Sequence, residues 1–196
     1  MKSPLLIGIT GGIGSGKTTL SKKLRAEGYS VYDSDAEARR LQNEHPVIRK
    51  ELIKLFGDDI YTNQILNRSA LAKIVFGKPE LLSKLNSIVH PYVKQDFDLW
   101  IKKHETEKLL FKESAILFES GFNNFVDKVI LMVASEEVRI ARVIKRDGAT
   151  PEQVKLRMKN QMTDDEKIPK TDFVIYTDDN MPLEDKMRRI LVQLNK

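Results

Sequence analysis

The sequence contains no cysteine and no long apolar run, and both absences narrow the kinds of protein it can encode. Without cysteine there are no disulfides, thiolate metal sites or cysteine nucleophiles. No window approaches the roughly 18 consecutive apolar residues of a transmembrane helix. The first ten residues, MKSPLLIGIT, run into a glycine-rich loop instead of a small-residue cleavage site. We therefore expect a strand there and a cytoplasmic protein.

Internal repeats and low-complexity linkers are also missing, and 196 residues suit one domain with an insertion better than two independent domains. The formal net charge of +5 is compatible with nucleic-acid binding, but the basic residues are clustered. Between Arg139 and Lys159 there are seven Lys or Arg against two acidic residues. A local excess suits a ligand with several phosphates. We expect no nucleic-acid partner, no membrane association and no obligate protein partner.

What the sequence does contain is a phosphate-binding motif close to its start. Residues 8–20 read GITGGIGSGKTTL and satisfy G-x-x-x-x-G-K-[ST] between a predicted strand and a predicted helix. The glycines bring backbone N–H groups close to phosphate oxygens, the lysine reaches the β- and γ-phosphates, and the hydroxyl residue contacts Mg²⁺. This P-loop predicts an ATP site made of Gly11, Gly12, Ile13, Gly14, Ser15, Gly16, Lys17, Thr18 and Thr19.

Strand and helix patterns alternate on both sides of a long helical stretch. Strands are predicted at residues 5–9, 29–32, 109–112, 129–133 and 173–176. Helices are predicted at residues 17–27, 136–145, 151–162 and 183–194. Ser34 and Glu37 predict a capping box for a further helix through residue 40. Between residues 45 and 107 only helical spacings occur.

This alternation predicts an α/β fold, a P-loop NTPase core with a parallel five-stranded sheet flanked by helices. Gly148 and Pro151 separate two basic helices and suggest a hinged helical lid. The predicted core covers about 1–44, 108–136 and 169–196, with a helical acceptor insert at about 45–107 and the basic lid at about 137–168.

A P-loop alone leaves a kinase, a GTPase, a motor or a nucleotide-dependent switch open. The Asn-Lys-x-Asp string of guanine-reading GTPases is absent. A motor needs an apolar strand that ends in a metal-binding aspartate, and the nearest apolar runs end at Glu113 and Glu119. A small phosphotransferase fits best, and a nucleic-acid-binding switch is the alternative from another class.

A kinase that phosphorylates a hydroxyl needs a carboxylate to orient the hydroxyl and take its proton. Asp33 ends the second predicted strand, and strand ends line the ligand crevice of a parallel sheet, so Asp33 is the candidate base. The competing interpretation is an acid at a helix start, which explains Asp35 better. Arg142 and Arg146, four residues apart, suit a bound triphosphate, and Arg157 and Gln161 repeat the spacing. A solvated basic face is the alternative.

Several short motifs, in order along nearly the whole chain, resemble those of the dephospho-CoA kinase family. They are TGGIGSGK at residues 10–17, Asp33-Ser34-Asp35, Leu66-Asn67-Arg68 with Ile74-Val75-Phe76, His90-Pro91, Leu117-Phe118-Glu119, Arg142 and Arg146, Arg157 with Gln161-Met162, and Asp172-Phe173-Val174-Ile175. The resemblance implies transfer of the γ-phosphate of ATP to the ribose 3′-hydroxyl of dephospho-CoA. The products are CoA and ADP, and the reaction is the last step of CoA synthesis. Another small-molecule or nucleotide kinase on the same core is the alternative.

The resemblance also implies roles for individual residues. Asp33, Lys17 and Arg142 are the expected catalytic residues, Arg142 and Arg146 join the ATP site, and Thr18 is the expected contact of the Mg²⁺ that accompanies ATP. On the acceptor side, the expected residues besides Asp33 are Arg68, His90 and Glu119.

Three positions depart from the family pattern. Glu113-Ser114-Ala115 stands where Asp-x-Pro is frequent, Arg139 where Gln is common, and Thr177 where Asn usually follows the strand. The first departure leaves the role of Glu113 open, and the other two leave the adenine contacts open.

Overall fold

The computed structural model describes residues 3–195. Its α-helices and β-strands, in chain order, are β1 Leu5–Thr10, α1 Lys17–Ala26, β2 Ser30–Asp33, α2 Ser34–Glu44, α3 Pro46–Phe56, β3 Tyr61–Thr62, β4 Ile65–Leu66, α4 Arg68–Val75, α5 Pro79–Lys103, β5 Leu109–Glu113, β6 Lys128–Val133, α6 Glu136–Asp147, α7 Pro151–Met158, α8 Asp164–Lys167, β7 Phe173–Tyr176 and α9 Leu183–Leu194. Within residues 3–195, no helix combines the length and apolar character needed to cross a bilayer.

The chain forms two compact units. One consists of residues 3–33 and 104–195, and the other, the helical unit, is Ser34–Lys103. Helix α2 packs against α3 and α5, which is why it belongs to the helical unit. This unit therefore begins at Ser34, whereas the sequence suggested residue 45, and it ends at Lys103 instead of 107.

The first unit is built on a five-stranded sheet in the order β2-β5-β1-β6-β7. All four neighbouring strand pairs are parallel, so the predicted parallel five-stranded sheet is confirmed. The central strands are apolar on both faces, as expected of a sheet covered by helices. Their side chains form a core with those of α1 and α9, including Ile9, Phe111, Met132, Leu20 and Leu191. Because the strands are parallel, their carboxyl ends meet at one edge of the sheet.

The helical unit contains one element that the sequence did not predict. Strands β3 and β4 pair antiparallel through a two-residue turn at Asn63 and Gln64, whose φ values are +49° and +69°. Two positive φ values are typical of a tight hairpin turn. Each strand has only two residues, too few to show an alternating pattern, so the expectation of helices alone was wrong.

Two predicted helix boundaries were also wrong. Ser34 is the first residue of α2, and its buried Oγ has no hydrogen-bond partner among residues 3–195, so the predicted capping box with Glu37 does not form. Helix α7 ends at Met158, four residues before the predicted end, and Gln161 lies beyond it. The signal for this early end was present, because Thr163 and Glu166 form a capping box for the next helix, α8.

Candidate active site

The P-loop connects β1 to α1 and requires glycine where its backbone passes close to other segments. Gly11 has a φ of +146°, and a Cβ on it would lie 2.3 Å from the carbonyl oxygen of Met132. Gly14 has a φ of +81°, and a Cβ on it would lie 2.6 Å from the carbonyl oxygen of Arg139. Both the backbone conformation and the close approach exclude a larger residue. The glycines are therefore needed for the path of the loop.

Helix α1 begins inside the P-loop, and no side chain of its N-cap or first turn neutralises the positive end of the helix dipole. Its N-cap is Gly16, which offers no side chain, and its first turn contains no acidic residue. The first N–H groups of a helix have no partner within the helix, and the helix dipole adds positive potential there. This helix start is suited to binding phosphate oxygens. Ile13, Ser15 and Thr19 lie in the same loop and first turn.

Lys17 is held against the same loop. The residue is only 8% exposed, and its Nζ donates hydrogen bonds to the carbonyl oxygens of Gly11 at 2.8 Å and Gly12 at 3.1 Å. The ammonium group is therefore positioned at the phosphate-binding loop before a nucleotide is bound.

Glu113, whose role the sequence left open, lies next to the P-loop. It is the last residue of β5 and is 4% exposed. Its Oε1 accepts a hydrogen bond from Thr18 Oγ1 at 2.8 Å, whereas no group in the described part of the chain forms a hydrogen bond with its buried Oε2. An unsatisfied buried carboxylate oxygen is costly unless a ligand completes its environment. The structure thus links an acidic residue to the hydroxyl that was predicted to contact Mg²⁺.

Asp33 is the direct neighbour of Glu113 across two parallel strands. Asp33 ends β2, and its register partner on β5 is Glu113, which is in turn the partner of Ile9 on β1. Adjacent strands lie about 4.8 Å apart, so these two acidic residues are backbone neighbours at the sheet edge beside the P-loop. Two neighbouring carboxylates repel each other unless a positive charge lies near them.

This donor set fits Mg²⁺. Magnesium is usually held by one or two carboxylates together with waters and substrate phosphates, rather than by a cage of protein ligands. Within residues 3–195, no three His, Cys, Asp or Glu side chains are arranged to hold a metal by themselves. The open Oε2 of Glu113 and the hydroxyl of Thr18 offer oxygen ligands of the kind Mg²⁺ prefers.

Arg142 on α6 contacts both the P-loop and the segment after β7. Its Nη1 donates to Thr177 Oγ1 at 2.8 Å and to the Gly14 carbonyl at 3.3 Å, and its Nη2 donates to the Thr177 carbonyl at 2.7 Å. Thr177 Oγ1 donates in turn to the Ser15 carbonyl at 3.0 Å. Thr177, one of the departures from the family pattern, therefore ties Arg142 to the phosphate loop.

Two further residues that the sequence did not assign to the loop also hold it. Gln161 accepts a hydrogen bond from Ile13 N at 2.9 Å and donates to the Ala115 carbonyl at 3.1 Å. Arg139 lies against Gly12, where a Cβ would approach its Nη1 to 2.4 Å, and donates to Asp164 at 3.2 Å. Burial raises the pKa of Asp164, and the positive charge of Arg139 opposes that rise. No sequence spacing indicates these contacts, because they join segments that are distant along the chain.

The structure does not bring Arg146 to the P-loop. Arg146 donates to both carboxylate oxygens of Asp147, at 2.7 and 3.0 Å, and Arg157 also donates to Asp147, at 3.1 Å. These two arginines hold the pKa of Asp147 below its usual value. The expectation that Arg142 and Arg146 point to one ligand is therefore not reflected in their contacts.

The three predicted acceptor-side residues lie in different surroundings. Glu119 accepts a hydrogen bond from Met162 N at 2.9 Å and lies 3.1 Å from Nζ of the fully buried Lys167. His90 lies within α5, directly before Pro91, so the helix continues through this dipeptide. Arg68 is the first residue of α4 in the helical unit.

Comparison with known proteins agrees with the motifs. The family model described as dephospho-CoA kinase matches residues 5–182. A dephospho-CoA kinase from Bacteroides fragilis is 42% identical over 177 residues, which cover 90% of this chain and 86% of that protein. One from Porphyromonas gingivalis is 46% identical over 157 residues, which cover 80% of this chain and 77% of that protein.

A solved structure extends the comparison to the fold. The crystal structure of TT1252 from Thermus thermophilus matches with a TM-score of 0.85 at 35% sequence identity, covering 99% of this chain and 97% of that one. The family match contains the P-loop, both carboxylates at the sheet edge and the whole helical unit. On the strength of that coverage and of relatives at 42% and 46% identity, this chain belongs to the dephospho-CoA kinase family.

Proposed function

We propose that this protein transfers the γ-phosphate of ATP to the ribose 3′-hydroxyl of dephospho-CoA and so forms CoA and ADP. The family membership supports the acceptor. The structural observation that carries the chemistry is the pairing of Asp33 with Glu113 at the strand ends, beside an uncapped P-loop helix. The helix start offers a positively charged site for the phosphates. The two acidic residues lie next to it, where the phosphate is transferred.

ATP binds with its phosphates on the P-loop and its adenine in a neighbouring cleft. That cleft has a volume of about 270 Å³ and lies between the start of α1 and the segment after β7. Arg142, Tyr176 and Met181 line it, and the last two are half exposed in the free protein. A guanidinium plane and an aromatic ring are suitable surfaces for stacking a purine. Thr177 holds Arg142 in place there.

The phosphate chain is neutralised by protein groups on several sides. The amide groups at the start of α1 bind the β-phosphate, and Lys17 exchanges the P-loop carbonyls for phosphate oxygens. Glu113 and Thr18 would hold the Mg²⁺ that accompanies ATP, and this ion would supply neutralisation of the phosphate charge. Arg142 adds positive charge on the lid side.

Asp33 acts on the acceptor. Its carboxylate accepts a hydrogen bond from the 3′-hydroxyl and orients that oxygen toward the γ-phosphorus. As the new P–O bond forms and the bond to the ADP oxygen breaks, the hydroxyl proton passes to Asp33. The lid helices limit the access of water, which would otherwise accept the phosphate.

An acceptor panel tests this function. ADP release is measured with dephospho-CoA, with nucleoside monophosphates, with shikimate and without acceptor. We expect turnover with dephospho-CoA and little above background with the others. Preferred turnover of a nucleoside monophosphate or of shikimate would identify another kinase on the same core. Salt-sensitive binding of DNA or RNA without acceptor-dependent turnover would identify the nucleic-acid-binding switch.

Glu113→Gln should increase the Mg²⁺ concentration needed for half-maximal activity by about 10- to 100-fold. The reason is that the substitution weakens the oxygen ligand at position 113 and the hydrogen bond that this side chain accepts from Thr18. The measurement is a Mg²⁺ titration at saturating ATP and dephospho-CoA. Glu27→Gln, an exposed residue after α1, is the matched control and should leave the curve unchanged. A normal Mg²⁺ requirement in Glu113→Gln would rule out the assigned role.

Arg142→Ala should lower kcat/KM for ATP by about 10- to 100-fold, the value of a few charge-assisted hydrogen bonds. Steady-state kinetics with varied ATP provide the measurement. Arg189→Ala, which removes an exposed arginine of α9, should have no effect. An unchanged kcat/KM in Arg142→Ala would mean that this arginine only ties the loops together.

A further inference from the structure

Helix α6 directs two arginines toward the P-loop. Arg139 and Arg142 are three residues apart, so they lie on the same face of the helix. Arg142 donates to the Gly14 carbonyl of the loop. The backbone of Arg139 is also close to the loop, because a Cβ on Gly14 would lie 2.6 Å from its carbonyl oxygen. This face of α6 therefore lies against the phosphate-binding loop.

The two arginines differ in how many of their donors the protein uses. Arg142 donates to the Gly14 carbonyl and to both the hydroxyl and the carbonyl of Thr177. Arg139 donates from Nη1 to Asp164 Oδ2 at 3.2 Å. Within residues 3–195, its Nη2 donates no hydrogen bond and its buried Nε has no partner. A guanidinium has donors on each of its nitrogens, so most of the donors of Arg139 are not used by the described chain.

The guanidinium of Arg139 lies against Gly12 of the P-loop. A Cβ on Gly12 would approach its Nη1 to 2.4 Å, its Cζ to 2.7 Å and its Nη2 to 3.1 Å. Lys17 contacts the same glycine, since its Nζ donates to the Gly12 carbonyl at 3.1 Å. The lysine of a P-loop reaches the β- and γ-phosphates. Arg139 therefore lies at the part of the loop from which Lys17 reaches the γ-phosphate.

Lys17 and Arg139 bring two positive charges to Gly12, which is unfavourable unless an anion lies near them. Among residues 3–195, Asp164 is the one acid that forms an ion pair with Arg139. Its buried Oδ1 has no hydrogen-bond partner in the described chain. Burial also raises the pKa of Asp164, which means that its charged form is disfavoured there. Asp164 therefore compensates the charge of Arg139 only in part.

A cavity adjoins this arginine. It has a volume of about 470 Å³ and lies between α6 and the segment from α7 to α8. Gln161 also lines it and accepts a hydrogen bond from the P-loop amide of Ile13 at 2.9 Å, so the cavity reaches the loop. Its charged lining residues are three cations and two acids, namely Arg139, Lys155, Lys159, Glu136 and Asp164. A phosphate group has space beside Arg139, and the excess of positive charge favours it there.

We propose that Arg139 is a further catalytic residue, whose Nη2 donates to the γ-phosphate of ATP during transfer. This inference rests on the proposed function, because ATP supplies the transferred phosphate. Negative charge spreads over the oxygens of the transferred group, and a guanidinium placed there in advance stabilises the transition state. Asp164 holds Arg139 at the loop through Nη1, so the guanidinium is oriented before ATP binds.

This role gives a physical meaning to one departure from the family pattern. Glutamine is common at the position of Arg139. A glutamine amide donates hydrogen bonds to a phosphate oxygen but carries no charge. The site of this chain therefore has one positive charge more than that of a relative with glutamine at this position.

The test compares the affinity for ATP with the affinity for ADP, because the two nucleotides differ by the γ-phosphate. Arg139→Gln, Arg139→Lys, Asp164→Asn and Lys145→Gln are compared with the unaltered protein. Lys145 is an exposed cation of the same helix and serves as the charge-matched control. Calorimetry with Mg²⁺ gives the Kd of each nucleotide without an acceptor. Single-turnover phosphorylation of dephospho-CoA gives the rate of transfer.

We expect Arg139→Gln to raise the Kd of ATP by about 10- to 100-fold and to leave that of ADP within about twofold of normal. Unchanged binding of ADP also shows that the variant is folded. The single-turnover rate at saturating ATP should fall by about 10²- to 10³-fold, as after the loss of one preorganised electrostatic contact. Arg139→Lys keeps the charge but loses the planar guanidinium, so it should recover part of the affinity and the rate. Lys145→Gln should behave like the unaltered protein.

Asp164→Asn separates contact with the phosphate from the loss of an ion pair. An asparagine oxygen still accepts the hydrogen bond from Nη1, so Arg139 stays at the loop and the rate should remain within about fivefold of normal. An equal loss of rate in Asp164→Asn and Arg139→Gln would attribute the effect to the ion pair and overturn the proposal.

Two further results would contradict the role of Arg139. One is an equal loss of affinity for ATP and ADP in Arg139→Gln, because the contact would then not be with the γ-phosphate. The other is a transfer rate in Arg139→Gln that equals that of Lys145→Gln. If the unaltered protein did not phosphorylate dephospho-CoA, the proposed function would fail instead, and the ATP and ADP affinities would still test Arg139.

Discussion

Asp33→Asn should bind ATP with normal affinity but show a kcat about 10²- to 10⁴-fold lower, the usual contribution of a positioned acid or base. The amide retains the size of the carboxyl group and its ability to accept a hydrogen bond, but it does not take the proton of the 3′-hydroxyl. Single-turnover phosphorylation of dephospho-CoA measures the change in rate. A separate binding experiment measures the affinity for ATP.

Asp98→Asn provides the control for this substitution. Asp98 is an exposed residue of α5 whose partner is Lys94, so the same chemical change there should leave kcat near normal. Near-normal turnover in Asp33→Asn would remove Asp33 from the role of base. Loss of ATP affinity together with turnover would point to a role in the nucleotide site instead.

Lys17→Ala should lower the rate of phosphate transfer by roughly 10²- to 10³-fold, comparable to the removal of one preorganised electrostatic contact from an active site. Lys17 is buried and held at the P-loop by two carbonyl oxygens. The ammonium group is therefore in place before the charge on the transferred phosphate develops. Single-turnover rates at saturating ATP measure the effect on the chemical step.

Lys22→Ala removes a lysine from the exposed side of the same helix and should not change the single-turnover rate. An equal loss in both variants would attribute the effect to the net charge or the stability of α1. An unchanged rate in Lys17→Ala would contradict the assignment of the P-loop as the phosphate site.

The sequence was most informative where neighbouring residues carry the signal. Gly11, Gly16, Lys17 and Thr18 have fixed spacings in a single loop, so the P-loop and the following helix were recognisable without a structure. The ends of β7 and α9 were also predicted correctly, because β-branched and aromatic runs and helical periodicity are local properties.

Signals that were weak or spread along the chain led to the errors. The β3–β4 hairpin has strands too short for a recognisable alternation. At Ser34, the Ser-x-x-Glu pattern predicts a cap, whereas the residue is the first of the helix and its hydroxyl is buried. The assignment of Arg146 to the ATP site stays a prediction, since in the free protein its guanidinium donates to the adjacent Asp147.

The sequence alone determined the chemical class of this protein, since the phosphate loop and the order of the short motifs are properties of the linear chain. Only the tertiary structure decided how the site is completed. It placed Glu113 against Thr18 and next to Asp33 in the sheet register, and it linked Thr177 to Arg142. The physical reason is that sheet register and packing bring together side chains far apart in sequence, which no local pattern encodes.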